Sequence, residues 1–560
     1  MVDTYETLSQ EFDSLMGANS LRAIAKEDFR RVDELPDVSK AGMEAYADAC
    51  ENLSRRISSA ESVGETLDER IDLEVATAEL LAQKIDTVGQ IGHAPRYAVN
   101  PFIFTPFAET LVFYLERDPR EPRERVDGLV RKLNQVPTFL KQGLSRLDRP
   151  VEIWRDMECE TVAGFNDMQM AIYSFAEQCG YQDIAAMNDA LGVAGAAVKE
   201  YHEKLAAMPT RRNLSLGLEV TCKLFENRGI EVSLEDMHNL ATKDIGERKE
   251  RLEKLRREVI DKYHFPRESS TNDVQRLLKQ ATACPEGKAV QVAEEILKEA
   301  TRFAYEQGIV QPLQGDHQAR IAFTPSYLRS TIPVAAMNPP GSFAEGTKRS
   351  VYFITERVGN IMSRPALAGT VAHELIPGHH YQGVRATQHP SRIRGWLFPL
   401  DLIEGWTTRV AEQVMLERGY EATPGFGLEE RFFGEAGQLR LGARVYFALA
   451  CLTGERGFLE NPYSTGNEAL DIIHASERMY QEITGFPASR ANADVHLFSS
   501  LQGYAPLYLI GNVLFHRMEG QARKKQGSQF HLADFHEAML NEGTLPLSAM
   551  QRSLEQKGMM

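Results

Sequence analysis

The segment "SLEDMHNLATKDIGERKERLEKLRREVIDKYHFP", from Ser233 to Pro266, constrains the fold of this chain more than any other. Met237, Leu240, Leu252, Leu255 and Val259 recur at helical spacing, Ser233 with Asp236 three residues on marks a start, and Pro266 marks a stop. Its charges alternate in sign and read as a solvated face, so the apolar stripe must be buried against other helices. Most of the first 310 residues read the same way, without a fixed-period repeat or a low-complexity tract.

The pattern changes near residue 315. "ARIAFTPSYL", "STIPVAAMNPP" and "RSVYFITERV" are short, rich in β-branched and aromatic residues and punctuated by proline and glycine. They are expected to be two or three strands of a small antiparallel sheet. After Ser363 helical signals return and persist. The expected fold is therefore mainly α, with a small sheet just before the segment that carries the chemistry.

That segment is "VAHELIPGHHYQ", Val371 to Gln382, with three of the chain's 14 histidines. Ser363 is a candidate N-cap and Pro365 suits a first turn, so His373 and Glu374 fall near a helix end. H-E-x-x-H binds metal because two imidazoles one turn apart converge on one ion. Here Pro377 stands where the second histidine should be. In a regular helix His379 would lie about 240° around and roughly 9 Å along from His373, and His380 on the same face but about 10.5 Å along. His379 could not then share an ion with His373, and for His380 the span is awkward. Pro377, however, cannot donate the helical amide bond, and Gly378 tolerates conformations other residues avoid. The pair should therefore bulge or break the helix, and a two-residue bulge would carry His379 to the place of the second ligand.

A catalytic zinc takes three protein ligands and keeps one position open. In "FPLDLIEGWTTRVAEQVMLERGY", Ile403, Trp406, Val410 and Val414 form an apolar stripe and Gly419 ends the helix. Glu404 could return a carboxylate to the histidines. Asp401 and Glu404 equally fit a capping box, and spacing does not separate the two readings. Glu412 and Glu417 read as solvated.

"HELIPGHHYQ" followed by "EGW" resembles the H-E-x-x-P-G-H-x-x-Q and E-G-W motifs of the bacterial domain-of-unknown-function family 885. That family in turn resembles, more distantly, helical zinc peptidases of the thimet oligopeptidase and thermostable carboxypeptidase type. The resemblance covers about residues 335–515 and implies a zincin-like helical peptidase fold. It implies His373, His379 and Glu404 as ligands of one Zn2+ ion, though other divalent metals fit the same set. "YAPLYLIG" is similar to the family's closing segment and places Tyr508 and Gly511 on its tyrosine and glycine. Three positions depart from the pattern: Tyr504 replaces a glutamine, and Ala448 and Leu452, downstream of the retained Arg444, replace an aspartate and a histidine.

The expected organisation is a helical N-terminal region, 1–314, and a metal-binding catalytic region, 315–560, separate or continuous. The expected function is a metallohydrolase, a peptidase or amidase on small peptide-like substrates. Glu374 would be the general base and Tyr508 a donor to the developing oxyanion, unless Tyr508 is simply a packed aromatic. Strand residues Val351–Ile354 could hold an extended peptide by edge pairing. The competing expectation is a metal-containing helical scaffold or binding protein without turnover. A serine hydrolase lacks its G-x-S-x-G elbow, and no phosphate-binding loop is present.

Composition narrows the partners. A formal charge of −16 argues against nucleic acid, which needs a basic surface. No run of about 18 apolar residues suggests a membrane span, and the first residues lack the basic and apolar regions of a secretory signal. Six dispersed cysteines without a C-x-x-C pair read as buried thiols, from which a cytoplasmic location is expected.

Overall fold

The computed structural model describes residues 3–60, 63–329, 332, 335–356, 361–465 and 469–560. It is overwhelmingly helical, as the periodicity dictates. The elements that build the site are, in chain order, α1 (Ser20–Ala25), α2 (Leu234–Tyr263), strands β1 (His317–Phe323), β2 (Ala335–Asn338) and β3 (Lys348–Ile354), then α3 (Arg364–Glu374), α4 (His379–Ala386), α5 (Leu400–Trp406), α6 (Gly427–Thr453) and α7 (Leu507–Gln526).

Helix α2 follows the sequence closely. Ser233 is its N-cap and its hydroxyl accepts from the Asp236 amide at 3.0 Å. Met237, Leu252 and Val259 are buried, and α2 packs along α6. Arg248 is an exception on the charged surface: it is buried, and ion pairs to Asp244 at 2.8 Å and Glu435 at 3.1 Å satisfy it.

The sheet lies immediately before α3, as expected. β2 and β3 are antiparallel, with Ala335 opposite Ile354 and Asn338 opposite Val351. β1, however, pairs with the other side of β3 in parallel, His317 opposite Lys348 and Phe323 opposite Ile354. The order β1-β3-β2 makes the sheet mixed. The reason is topological: β2 reverses on the far side of β3, so the chain re-enters the sheet running the same way as β1. Residues 330, 331, 333, 334, 357 and 358 of the expected strands lie outside the described residues. β3 is central and paired on both sides, so Val351–Ile354 has no free edge; β1 and β2 are the edge strands.

Among the described residues the buried apolar side chains form three clusters, each drawing on both sides of residue 314. No helix among them is long and apolar enough to cross a membrane.

Candidate metal centre

Ser363 stands at the N-cap of α3, but its hydroxyl pairs with Thr282 at 2.9 Å instead of capping the helix. α3 ends at Glu374, and the Leu375 amide makes a last helical bond to Val371 at 2.9 Å. Four residues, Leu375–Gly378, then break the helix, the Ile376–Pro377 peptide being cis, and α4 starts at His379. Of the bulge or break expected there, the structure has the full break, between two helices. Its cause is local. Pro377 has no N–H to offer, and at Gly378 a Cβ would sit 1.7 Å from the His373 carbonyl oxygen, a contact only glycine permits.

The break swings His379 back beside His373, with ring centroids 4.9 Å apart and planes at 88°. His380 points elsewhere: it is fully buried, its Nδ1 2.7 Å from the Ser350 hydroxyl and its Nε2 3.2 Å from His317. Of the two histidines, His379 is the one brought beside His373.

Glu404 arrives from α5. Its Oε2 is 3.8 Å from Nε2 of His373 and 3.7 Å from Nε2 of His379, and donor atoms of the three residues lie within 4.8 Å of one another. Asp401 does not form a capping box with it. Pro399 is the N-cap of α5, and the buried Asp401 carboxylate accepts from the amide of Leu547, far along the chain, at 2.7 Å. The glycine of E-G-W makes this approach possible. A Cβ on Gly405 would lie 2.7 Å from the Gly511 backbone, and one on Gly511 2.2 Å from the Asp401 carbonyl, so α5 and α7 touch backbone to backbone.

After Trp406 the helix widens into a π-helix, Thr407–Val414, a winding often found at functional sites. It carries Glu412, which the sequence assigned to solvent. Glu412 is instead largely buried, with Oε1 2.7 Å from Nδ1 of His373 and 2.8 Å from Arg440, and with Oε2 accepting from Gln438 at 2.9 Å. One helix therefore supplies Glu404 to one nitrogen of His373 and Glu412 to the other. Glu417 is exposed, as expected, and pairs with Arg409 at 2.7 Å.

Burial raises the Glu412 carboxyl, but Arg440 and His373 outweigh it and hold the group well below the carboxylate range. Burial likewise opposes protonation of His373, yet Glu412 raises its pKa. His379 is pushed down to about 4 by burial, so its nitrogen lone pair is free at neutral pH. Glu374 is pushed up to about 7, first by burial and then by Glu404 and Glu412, against the lowering by His373.

These groups open on a cavity of about 380 Å3 lined by His373, Glu374, His379, Glu404, Tyr504 and Tyr508. Tyr504, read as a departure from the family pattern, donates its hydroxyl to Oε1 of Glu404 at 2.5 Å. This leaves Oε2 facing the histidines. Tyr508 lies beside it, ring centroids 5.7 Å apart, with Arg444 stacked on its ring at 4.7 Å. Ala448 and Leu452 are buried core residues that do not line the cavity.

Two imidazoles and one carboxylate are a zinc-type donor set. Ligands at zinc bond lengths of about 2.0–2.2 Å would stand about 3.4 Å apart. The 3.7 and 3.8 Å separations from Glu404 need only a small inward shift, so the residues fit an ion.

A "putative lipoprotein of unknown function" from Shewanella oneidensis matches at 16% identity over 99% of this chain and 100% of its own, with a TM-score of 0.72. A "putative lipoprotein" from Colwellia psychrerythraea matches at 14% identity over 100% and 99%, with a TM-score of 0.79. Both share the fold. The M32 carboxypeptidase from Deinococcus radiodurans R1 matches at 12% identity over 99% and 98%, with a TM-score of 0.34, too low to carry an argument. No curated protein matches the sequence.

The lipoprotein descriptions contradict the cytoplasmic location expected from the cysteines. All six cysteines are free, but Cys222 is exposed and Cys50 and Cys451 alone are buried, so the reading of the six as buried thiols, on which that location rested, does not hold. The profile described as "Bacterial protein of unknown function (DUF885)" matches residues 21–554, and by that match, with the histidine and E-G-W motifs built into one centre, the chain belongs to that family.

Proposed function

We propose that the protein is a metal-dependent hydrolase of peptide or amide bonds in small peptide-like substrates, with His373, His379 and Glu404 holding one zinc ion. The observation that carries this reading is the convergence of both histidine Nε2 atoms on Oε2 of Glu404 in a cavity that also holds Glu374. A zinc ion bound there would supply a Lewis acid for the scissile carbonyl and make a coordinated water more acidic.

The chain's own groups do the rest. Glu374, next to a ligand in sequence but not in the donor set, takes the proton of the attacking water at its carboxylate and hands it to the leaving nitrogen. Glu412 holds the His373 ring by Nδ1 and keeps Nε2 turned to the donor set. Tyr504 orients Glu404, and Tyr508 is the candidate donor to the carbonyl oxygen as charge grows there. The edge strand β2, through Ala335–Met337, forms part of the cavity wall and offers backbone to an extended substrate. The non-catalytic scaffold reading draws no support from Ala448 and Leu452, which sit in the core.

Glu374→Gln separates the readings. It is expected to retain metal and to lose cleavage of a mixed peptide library. Full activity in that variant rejects Glu374 as the base, and a metal-loaded wild type that cleaves no library member rejects the hydrolase.

A further inference from the structure

Lys26 belongs to no motif, yet it lines the same cavity as Glu374 and Glu404 and is, among the described residues, the one lysine or arginine that does so. It is the C-cap residue of α1 and is fixed by its backbone. Its carbonyl accepts from the Phe343 amide at 3.0 Å, and a Cβ on Gly341 would come within 2.5 Å of that carbonyl. Glu27 braces the same contact, accepting from the Gly341 amide at 3.1 Å and pairing with Arg117 at 3.1 Å. The loop after β2 and the end of α1 are thus one wall.

The side chain is held but not neutralised. Nζ donates to the Leu397 carbonyl at 2.7 Å and lies 5.6 Å from the centroid of the Phe398 ring. Among the described residues no carboxylate lies within ion-pair distance of it, whereas the nearby Arg22 and Arg117 pair with Glu79 and Glu27. An ammonium in an apolar wall without a carboxylate at ion-pair distance is costly, and burial, with Arg22 adding to it and Glu79 opposing, pushes its pKa down to about 7. An anionic ligand would relieve that cost.

We propose that Lys26 is the specificity-determining residue of this cavity and binds a substrate carboxylate, so that the site takes short peptides bearing a free carboxylate. This rests on the hydrolase reading for the word substrate, but not for the binding. The carboxylate could be the peptide C-terminus or an acidic side chain, and the two sources are separable.

The probes are an N-acetylated tetrapeptide library with free C-termini, the same library as C-terminal amides, and amides with glutamate fixed at the last position. Binding to the zinc-loaded full chain carrying Glu374→Gln is measured by equilibrium dialysis, beside cleavage by the zinc-loaded wild type. The acid library is expected to bind tenfold or more tighter than the amides, about the size of one charge-assisted hydrogen bond. Adding Lys26→Met is expected to bring the acids to the level of the amides, while Lys26→Arg keeps the preference. Glutamate amides that bind like the acids identify a side-chain carboxylate as sufficient. Equal binding of acids and amides, an equal loss of both in Lys26→Met, or no binding of either at millimolar concentration overturns the proposal. Acid preference without cleavage by the wild type sinks the hydrolase and leaves Lys26 standing; cleavage without preference does the reverse.

Discussion

Trp406 donates its indole N–H to the carbonyl oxygen of Pro377 at 2.7 Å. This bond joins the E-G-W motif to the Pro-Gly break, 29 residues away in sequence. Trp406 is fully buried, stacked on Tyr381 with centroids 6.1 Å apart and planes at 3°. The break that delivers His379 is thus pinned by the helix that delivers Glu404.

Trp406→Phe tests the pin. It keeps an aromatic ring against Tyr381 but leaves the buried Pro377 carbonyl without its donor. A loss of about 1–3 kcal/mol in unfolding free energy is expected, read from denaturant titration. Weaker metal binding should accompany it; unchanged metal affinity would show that the bond does not hold the centre.

Gly378 and Gly369 make an internal comparison. Gly369 is exposed on α3 with open space at its Cβ position, so Gly369→Ala should stabilise by about 0.5–1 kcal/mol. Gly378→Ala forces a methyl into the His373 carbonyl and should cost on the order of 3 kcal/mol or more, with loss of metal. Equal melting shifts in the two variants would contradict the close approach.

Glu412→Gln preserves an acceptor for Nδ1 of His373 but removes the charge. Metal affinity is expected to fall by about 10–100-fold, as for other carboxylate partners of histidine ligands. Glu417→Gln, on the same helical stretch but exposed, should bind metal as the wild type does. Competition with a chelator reads both; equal affinities in the two variants would remove Glu412 from the centre.

How much of this was legible in the sequence depends on distance along the chain. Ser233 and its helix are local, and their pattern was sufficient. The metal motif was legible because Pro377 and Gly378 both forbid a regular helix and permit a break. Asp401 was misread as a cap because its partner, the Leu547 amide, is 146 residues away. Glu412 was misread as solvated because helical spacing assumes α winding, and the chain there is π-wound and packed against Arg440 and Gln438. Tyr504 looked like a departure until its hydroxyl met Glu404. Lys26 gave no signal, since only tertiary packing brings α1 to the cavity.

A pH dependence follows from His536, away from the donor set. It is buried against Trp406, its Nδ1 bonded to the Ile309 carbonyl at 2.7 Å and its Nε2 unpartnered. Burial lowers its pKa from 6.5 to about 4. A depressed base contributes stability that is present above about pH 6.5 and is lost as pH falls towards 4, up to about 3 kcal/mol for this group. His536→Gln should therefore flatten the decline in melting temperature over that window. A difference between wild type and variant that stays constant from pH 7 to pH 4 would contradict this.

The central claim is that the Pro377–Gly378 break places His379, and not His380, on one metal ion with His373 and Glu404. The measurement is metal content after loading with zinc and gel filtration, on wild type, His379→Ala and His380→Gln. About one ion per chain is expected in the wild type and in His380→Gln, and none in His379→Ala. Full metal content in His379→Ala would contradict the claim outright.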